Sequence, residues 1–155
     1  MTNAVRFLRE HGVAFEGHLY AYTGEGPVAN EAARAIGVPE DAVYKTLVFE
    51  SPRGPILVLM DAAHRVAPGK ISRLAGWTEK IHECAVRDAE RHTGYQVGGI
   101  SPFGTRKPLP VFLDARASDH QRIYVNGGKR GFLVSLAVAD LVRLLAPVIG
   151  DFGAD

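Results

Sequence analysis

Two apolar runs, Val43 to Phe49 and Pro55 to Asp61, are joined through Ser51-Pro52-Arg53-Gly54. A connection this short, carrying proline and glycine, reads as the loop of an antiparallel hairpin. A second hairpin is expected from Arg122 to Asn126 and Phe132 to Ser135, around Asn126-Gly127-Gly128-Lys129-Arg130-Gly131. Helix signals fall between these strands. Thr2 caps a helix ending at Gly12, and another runs from about Val28 to Gly37, ahead of Pro39. Pro68 opens a helix that stops at Gly76, Ala85 to His92 forms one ended by Gly94, and Leu136 to Ala146 forms one stopped by Pro147. Short strands are expected at Ala14 to Tyr20, Lys80 to Cys84 and Pro110 to Asp114, with Asp151 to Asp155 as a loose tail. Hairpins mixed with helices favour an α+β fold over a doubly wound parallel sheet. No repeat or linker divides residues 1–155, so one domain is expected.

Composition narrows the function. Eighteen Lys and Arg against seventeen Asp and Glu leave a net charge of +1, so any contact with a polyanion must be local. The longest apolar run, Ile56 to Met60, is far short of the ~20 residues of a membrane span. With Arg6, Arg9 and Glu10 near the N-terminus there is no signal-peptide pattern, and the single Cys84 suits a reducing cytosol. A cytoplasmic protein without membrane contact is expected.

The segment Thr93 to Gly104 is too irregular for helix or strand and too stiff for a linker. Gly94, Gly98, Gly99 and Gly104 let the backbone turn tightly and approach a ligand, and Pro102 fixes the exit, so the loop reads as a wall of bare backbone N–H groups. On the first hairpin, strand periodicity places Lys45 on one face with Val43, Leu47 and Phe49. An ammonium on an apolar face must snorkel to an edge, pair with a carboxylate such as Asp61 or Asp114, or line a cavity for an anionic or carbonyl ligand. Glu16, His18 and Tyr20 share a strand face that either meets water or sides a pocket. Arg106, Lys107, Lys129 and Arg130 form two small basic clusters able to grip phosphates, or to remain as solvated surface.

Several chemistries are not signalled. The six histidines have no metal-site spacing and no cysteine partners, so neither metal nor other cofactor is expected. Ser101 lacks a nucleophile-elbow sequence, Gly98 to Gly104 lacks the Gly-Lys-Ser/Thr ending of a phosphate loop, and Cys84 reads as a structural thiol.

The segments Val43-Tyr44-Lys45-Thr46-Leu47, Thr93-Gly94-Tyr95 with Gly98-Gly99-Ile100-Ser101-Pro102-Phe103-Gly104, and Ile123 to Gly131 together resemble the YbaK family. Its members are related to the editing domain inserted in bacterial prolyl-tRNA synthetases. The resemblance spans nearly the whole chain and implies a mostly antiparallel, barrel-like mixed sheet surrounded by helices. It implies a free-standing editing enzyme that hydrolyses mischarged aminoacyl-tRNA, with Cys-tRNA(Pro) the substrate of the YbaK branch. By this resemblance Lys45 is the essential lysine facing the 3′-terminal adenosine and its ester. Backbone N–H groups of Gly98, Gly99, Ile100 and Ser101 would steady the oxyanion, and Tyr20, Pro102, Asn126, Gly127, Gly128 and Leu133 would shape the substrate pocket. Asn126 stands where relatives carry serine, and Leu133 where some carry a polar residue, which bears on amino-acid specificity.

The chemistry implied is substrate-assisted: the cysteinyl thiol attacks its own ester, and the protein needs no nucleophile. Arg106, Lys107, Lys129 and Arg130 would meet the acceptor end, and tRNA(Pro) specificity would come from a transient complex with prolyl-tRNA synthetase. The alternatives are a deacylase for Ala-, Ser- or another mischarged tRNA, a non-catalytic binder of tRNA ends or nucleotides, and an interaction module using only the hairpin scaffold.

Overall fold

Each helix starts and stops where local chemistry dictates. The Thr2 side chain accepts from the Val5 N–H, 3.1 Å away, to open α1 (Asn3–Glu10). Left-handed glycines at 37, 76 and 94 close α2 (Val28–Ile36), α3 (Pro68–Ala75) and α4 (Val86–Thr93). The computed structural model describes residues 1–155. Its strands are β1 (Glu16–Leu19), β2 (Val43–Ser51), β3 (Gly54–Asp61), β4 (His82–Glu83), β5 (Val111–Asp114), β6 (Arg122–Lys129), β7 (Phe132–Ala137) and β8 (Val148–Gly150), with α5 (Val138–Leu145) before the last. The fold is α+β, and no helix is long and apolar enough to cross a membrane.

One mixed sheet runs β1-β7-β6-β2-β3-β5-β8, with β4 added to β2. The β1/β7, β7/β6, β2/β3 and β2/β4 pairs are antiparallel; β6/β2, β3/β5 and β5/β8 are parallel. The expected first hairpin is present, with Lys45 opposite Met60 and Tyr44 opposite Asp61. On its other side β2 meets β6 only at Val43 and Tyr44, and β4 only at Phe49 and Glu50. Between those contacts Lys45 to Val48 have no strand neighbour on that side. That gap is where the site opens.

Three apolar clusters fill the interior. One gathers Leu8, Tyr44, Val125 and Leu136, and a second Ile56, Met60, Ile71 and Phe152. The third, Ala29, Ala32, Ala33, Val43, Ala62 and Leu133, packs α2 on the sheet beside the gap.

The structure departs from the sequence reading in three places. Asn126-Gly127 is not a turn: β6 continues to Lys129, the pairing slips between Asn126 and Lys129, and the chain reverses at Arg130-Gly131. A bulge absorbs the glycines there, because Asn126 Oδ1 accepts from the N–H groups of Gly128 and Lys129 at 2.7 and 3.1 Å. Leu136 and Ala137 extend β7, and α5 starts only at Val138, since both residues still pair across with β6. The tail is not loose. β8 pairs with β5, Phe152 is fully buried, and its N–H donates to Asp114 Oδ2 at 3.0 Å. The buried Asp114 carboxylate also accepts from the Arg116 N–H and guanidinium, so it needs the tail to be satisfied.

Candidate active site

The gap in β2 opens into a cavity of about 290 Å³, whose lining is mostly apolar. Ala29 and Ala32 of α2 form one side, with Val43 and Leu133 from the sheet; Gly98 and Ile100 of the glycine-rich loop close it, and Glu83 of β4, with Cys84 and Val86 after it, bounds it. Lys45 lines this space, so of the placements open to it the cavity is the one adopted. Its Nζ donates to the His64 carbonyl at 2.7 Å, not to a carboxylate. Burial pulls the Lys45 ammonium below the ordinary lysine value, while the charges of Asp61 and Glu83 work against that shift.

The carbonyl that receives Lys45 is held in turn. Asp61, at the end of β3, is 1% exposed. Its Oδ1 accepts from the Ala63 N–H at 2.9 Å and lies 2.7 Å from His64 Nδ1. The turn after β3 is thereby fixed with the His64 carbonyl directed at Lys45. Sequence reading missed this role for Asp61, which it considered only as a direct partner.

The glycine-rich loop is positioned by β6. Asn126 Nδ2 donates to the Gly98 carbonyl at 3.1 Å, so this one side chain ties the loop to the bulge. Gly99 sits so close to the β6–β7 turn that an added Cβ would lie 2.8 Å from backbone atoms of Lys129 and Arg130. Its N–H donates to the Gln96 carbonyl at 2.8 Å and is not free for substrate. The N–H groups of Gly98 and Ile100 make no hydrogen bond within the protein, and both residues line the cavity. Ser101 is fully buried, with its Oγ accepting from the Phe103 N–H at 3.2 Å, and Pro102 is buried beside it; neither lines the cavity.

Of the other expected residues, Asn126 and Leu133 line the cavity, while Gly127 and Gly128 lie outside it. Gly127 packs under the Phe132 ring and accepts from the Thr2 hydroxyl at 2.6 Å; Gly128 lies against Thr2 and Tyr95. Tyr20 packs on the Ala29–Val43–Leu133 cluster, and its buried hydroxyl has no partner. Thr46, which sequence reading passed over, lines the cavity with a hydroxyl that is likewise buried and unpartnered. A buried hydroxyl left unpaired costs about 1–3 kcal/mol, so Thr46, which lines the cavity where Tyr20 does not, is set to gain from a polar ligand.

Arg106, Lys107, Lys129 and Arg130 are all exposed. Arg130 leans over the loop, its Nε donating to the Val97 carbonyl at 3.0 Å and its guanidinium carbon 5.4 Å from the Tyr22 ring centre. Cys84 is half-buried and its thiol is pushed up to about 12, first by burial and then by its hydrogen bond to Glu50, so it is no nucleophile near neutral pH. Glu83 is the one acidic residue that lines the cavity.

A family model described as an aminoacyl-tRNA editing domain matches residues 24–144. The chain is 29% identical over 144 residues, 92% of its own length and 87% of the relative's, to the Enterococcus faecalis protein named "Putative Cys-tRNA(Pro)/Cys-tRNA(Cys) deacylase EbsC". The crystal structure of "a putative trans-editing enzyme for prolyl tRNA synthetase" superposes with a TM-score of 0.84 at 25% identity, covering 100% of this chain and 99% of that one. The fold is also that of the hypothetical protein APE2540, with a TM-score of 0.87 at 21% identity and coverage of 98% and 99%. With the model matching most of its length around this cavity, the chain belongs to the aminoacyl-tRNA editing domain family.

Proposed function

We propose that this aminoacyl-tRNA deacylase removes cysteine from Cys-tRNA(Pro), with Lys45 as the central residue of the site. The observation that carries the reading is a small apolar cavity holding one lysine and no activated nucleophile: the Cys84 thiol is pushed up to about 12, and the Ser101 hydroxyl is spent inside its loop. An ester needs chiefly orientation and stabilisation of its developing oxyanion. The free N–H groups of Gly98 and Ile100 are the donors for that charge. The substrate thiol attacks its own carbonyl carbon, the bond to the ribose oxygen breaks, the thiol proton passes to the departing hydroxyl, and the cyclic thiolactone released is opened by water.

Lys45 holds the terminal nucleotide by charge, the Thr46 hydroxyl takes a polar group of the substrate, and Tyr20 backs the pocket wall through the Ala29–Val43–Leu133 cluster. Leu133 and the α2 alanines keep the amino-acid end small, which rejects bulky side chains by shape. Arg106, Lys107, Lys129 and Arg130 grip acceptor-end phosphates. With a net charge of +1 that grip is weak, so tRNA(Pro) identity is supplied by a transient complex with prolyl-tRNA synthetase in the cytoplasm.

A second reading follows from Glu83, the one acidic residue that lines the cavity. As a general base on water it would hydrolyse Ala- or Ser-tRNA(Pro) without any thiol. Release of labelled amino acid from Cys-, Ala- and Ser-tRNA(Pro), with Cys-tRNA(Cys) alongside, separates the readings. Loss of cysteine alone supports the thiol route; comparable loss of alanine or serine supports Glu83. Equal turnover of the two cysteinyl-tRNAs, unchanged by added synthetase, would refute the borrowed tRNA specificity.

A further inference from the structure

Behind the cavity wall, three side chains from three elements converge. Glu50 comes from β2, Cys84 from just after β4 and His92 from α4. The Cys84 thiol donates to Glu50 Oε1 at 3.2 Å, and His92 Nε2 lies 3.2 Å from the same oxygen. All three ligand atoms lie within 4.8 Å of one another. Separations in sequence of 34 and 42 residues from Glu50 hide this cluster from any spacing rule.

We propose that Glu50, Cys84 and His92 form a binding site for a zinc-class divalent cation. Zinc bonds of about 2.0 Å to nitrogen and oxygen and about 2.3 Å to sulfur place tetrahedral ligand atoms roughly 3.3–3.6 Å apart. The two 3.2 Å separations to Glu50 need to open by only a few tenths of an ångström, and the third, between Cys84 and His92, lies within 4.8 Å, so small side-chain shifts bring all three to this spacing. Sulfur, imidazole and carboxylate together select zinc over magnesium or calcium, which take oxygen alone.

The scaffold is built before any ion arrives. The Cys84 N–H donates to the Val48 carbonyl at 2.8 Å, Glu50 is paired across to His82, and the His92 side chain is only 9% exposed. The imidazole has one polar engagement, through Nε2 and into the cluster, since its Nδ1 has no partner. Glu50, with its side chain 35% exposed, leaves a way in from solvent, which would supply the fourth ligand. On binding, the thiol proton leaves to solvent, so the thiolate and carboxylate balance the two charges of the ion around a neutral imidazole. The ion would tie β2, β4 and α4 together at the wall that Cys84 shares with the cavity. This site stands independently of the substrate proposed above.

Cobalt(II) is the direct probe, because a thiolate bound to it absorbs in the near ultraviolet. Titration of the reduced, chelator-treated protein is expected to give one equivalent of that charge-transfer band together with the visible bands of a four-coordinate ion, both lost on adding zinc. Since His92 is buried, the deciding variants are Cys84→Ser and Glu50→Gln, with folding checked by circular dichroism. Cys84→Ser should abolish the charge-transfer band, and Glu50→Gln should weaken binding at least tenfold. No charge-transfer band from the folded wild type, a band that persists in Cys84→Ser, or unchanged affinity in Glu50→Gln would overturn the assignment.

Discussion

In the proposed reaction Lys45 is the residue on which the chemistry turns, and two predictions belong to it. Lys45→Ala removes the only cation that lines the cavity, and the single-turnover deacylation rate should fall by about a hundredfold or more while the far-UV spectrum stays unchanged. A fall below threefold would mean the lysine is a bystander. The second concerns pH. Burial lowers the pKa of Lys45 and Asp61 raises it, so the charged form is lost as pH rises through a value below that of free lysine. If the charged form acts, activity above spontaneous hydrolysis falls along that alkaline limb. Asp61→Asn keeps an oxygen for the turn but removes the charge that favours the ammonium, so the limb should move to lower pH. A merely structural role for Asp61 would change the rate without moving the limb. The sequence made Lys45 legible because a charge on an apolar strand face has few placements. It did not show the partner, because the His64 carbonyl reaches Lys45 only through a turn held by a buried carboxylate.

Among the elements, the site depends on how the glycine-rich loop lies against the β6–β7 hairpin. Gly99→Ala would put a Cβ 2.8 Å from the backbone of Lys129 and Arg130, and backbone cannot swing aside. We expect a loss of about 1–3 kcal/mol by chemical denaturation, with weakened deacylation as Gly98 and Ile100 shift. Wild-type stability together with wild-type activity would show that the loop does not need this close approach. The first hairpin and most helix ends were legible from turn residues and caps, which act over a few positions. The bulge at Gly127-Gly128 was not, because Asn-Gly also serves as a turn, and its place is decided by tertiary bonds from Asn126 and Thr2. The exit of β2 from its partners likewise depends on pairing with β6 and β4, which no local signal records.

Across the whole molecule, the C-terminal segment is part of the core. Phe152 fills the cluster of Ile56, Met60 and Ile71, so Phe152→Ala, which keeps the N–H that satisfies Asp114 but empties the ring's place, should cost about 3–5 kcal/mol, read as a lower denaturant midpoint at unchanged slope. A cost under about 1 kcal/mol would return the tail to the status its polar, glycine-containing sequence suggests. The packing of that tail, the gap in β2 and the convergence of α2, the glycine-rich loop and β4 on one small cavity all arise from long-range pairing, which explains why the sequence singled out Lys45, Gly98, Ile100, Asn126 and Leu133 of its lining but not the α2 alanines or Glu83. The central claim is that this cavity orients an ester whose own thiol does the attacking. It is tested most directly by comparing Cys-tRNA(Pro) with 2-aminobutyryl-tRNA(Pro), which replaces the thiol by a methyl group of similar size. The account predicts rapid release of cysteine, lost in Lys45→Ala, and release of 2-aminobutyrate slower by at least about a hundredfold; equal rates for the two esters would contradict it.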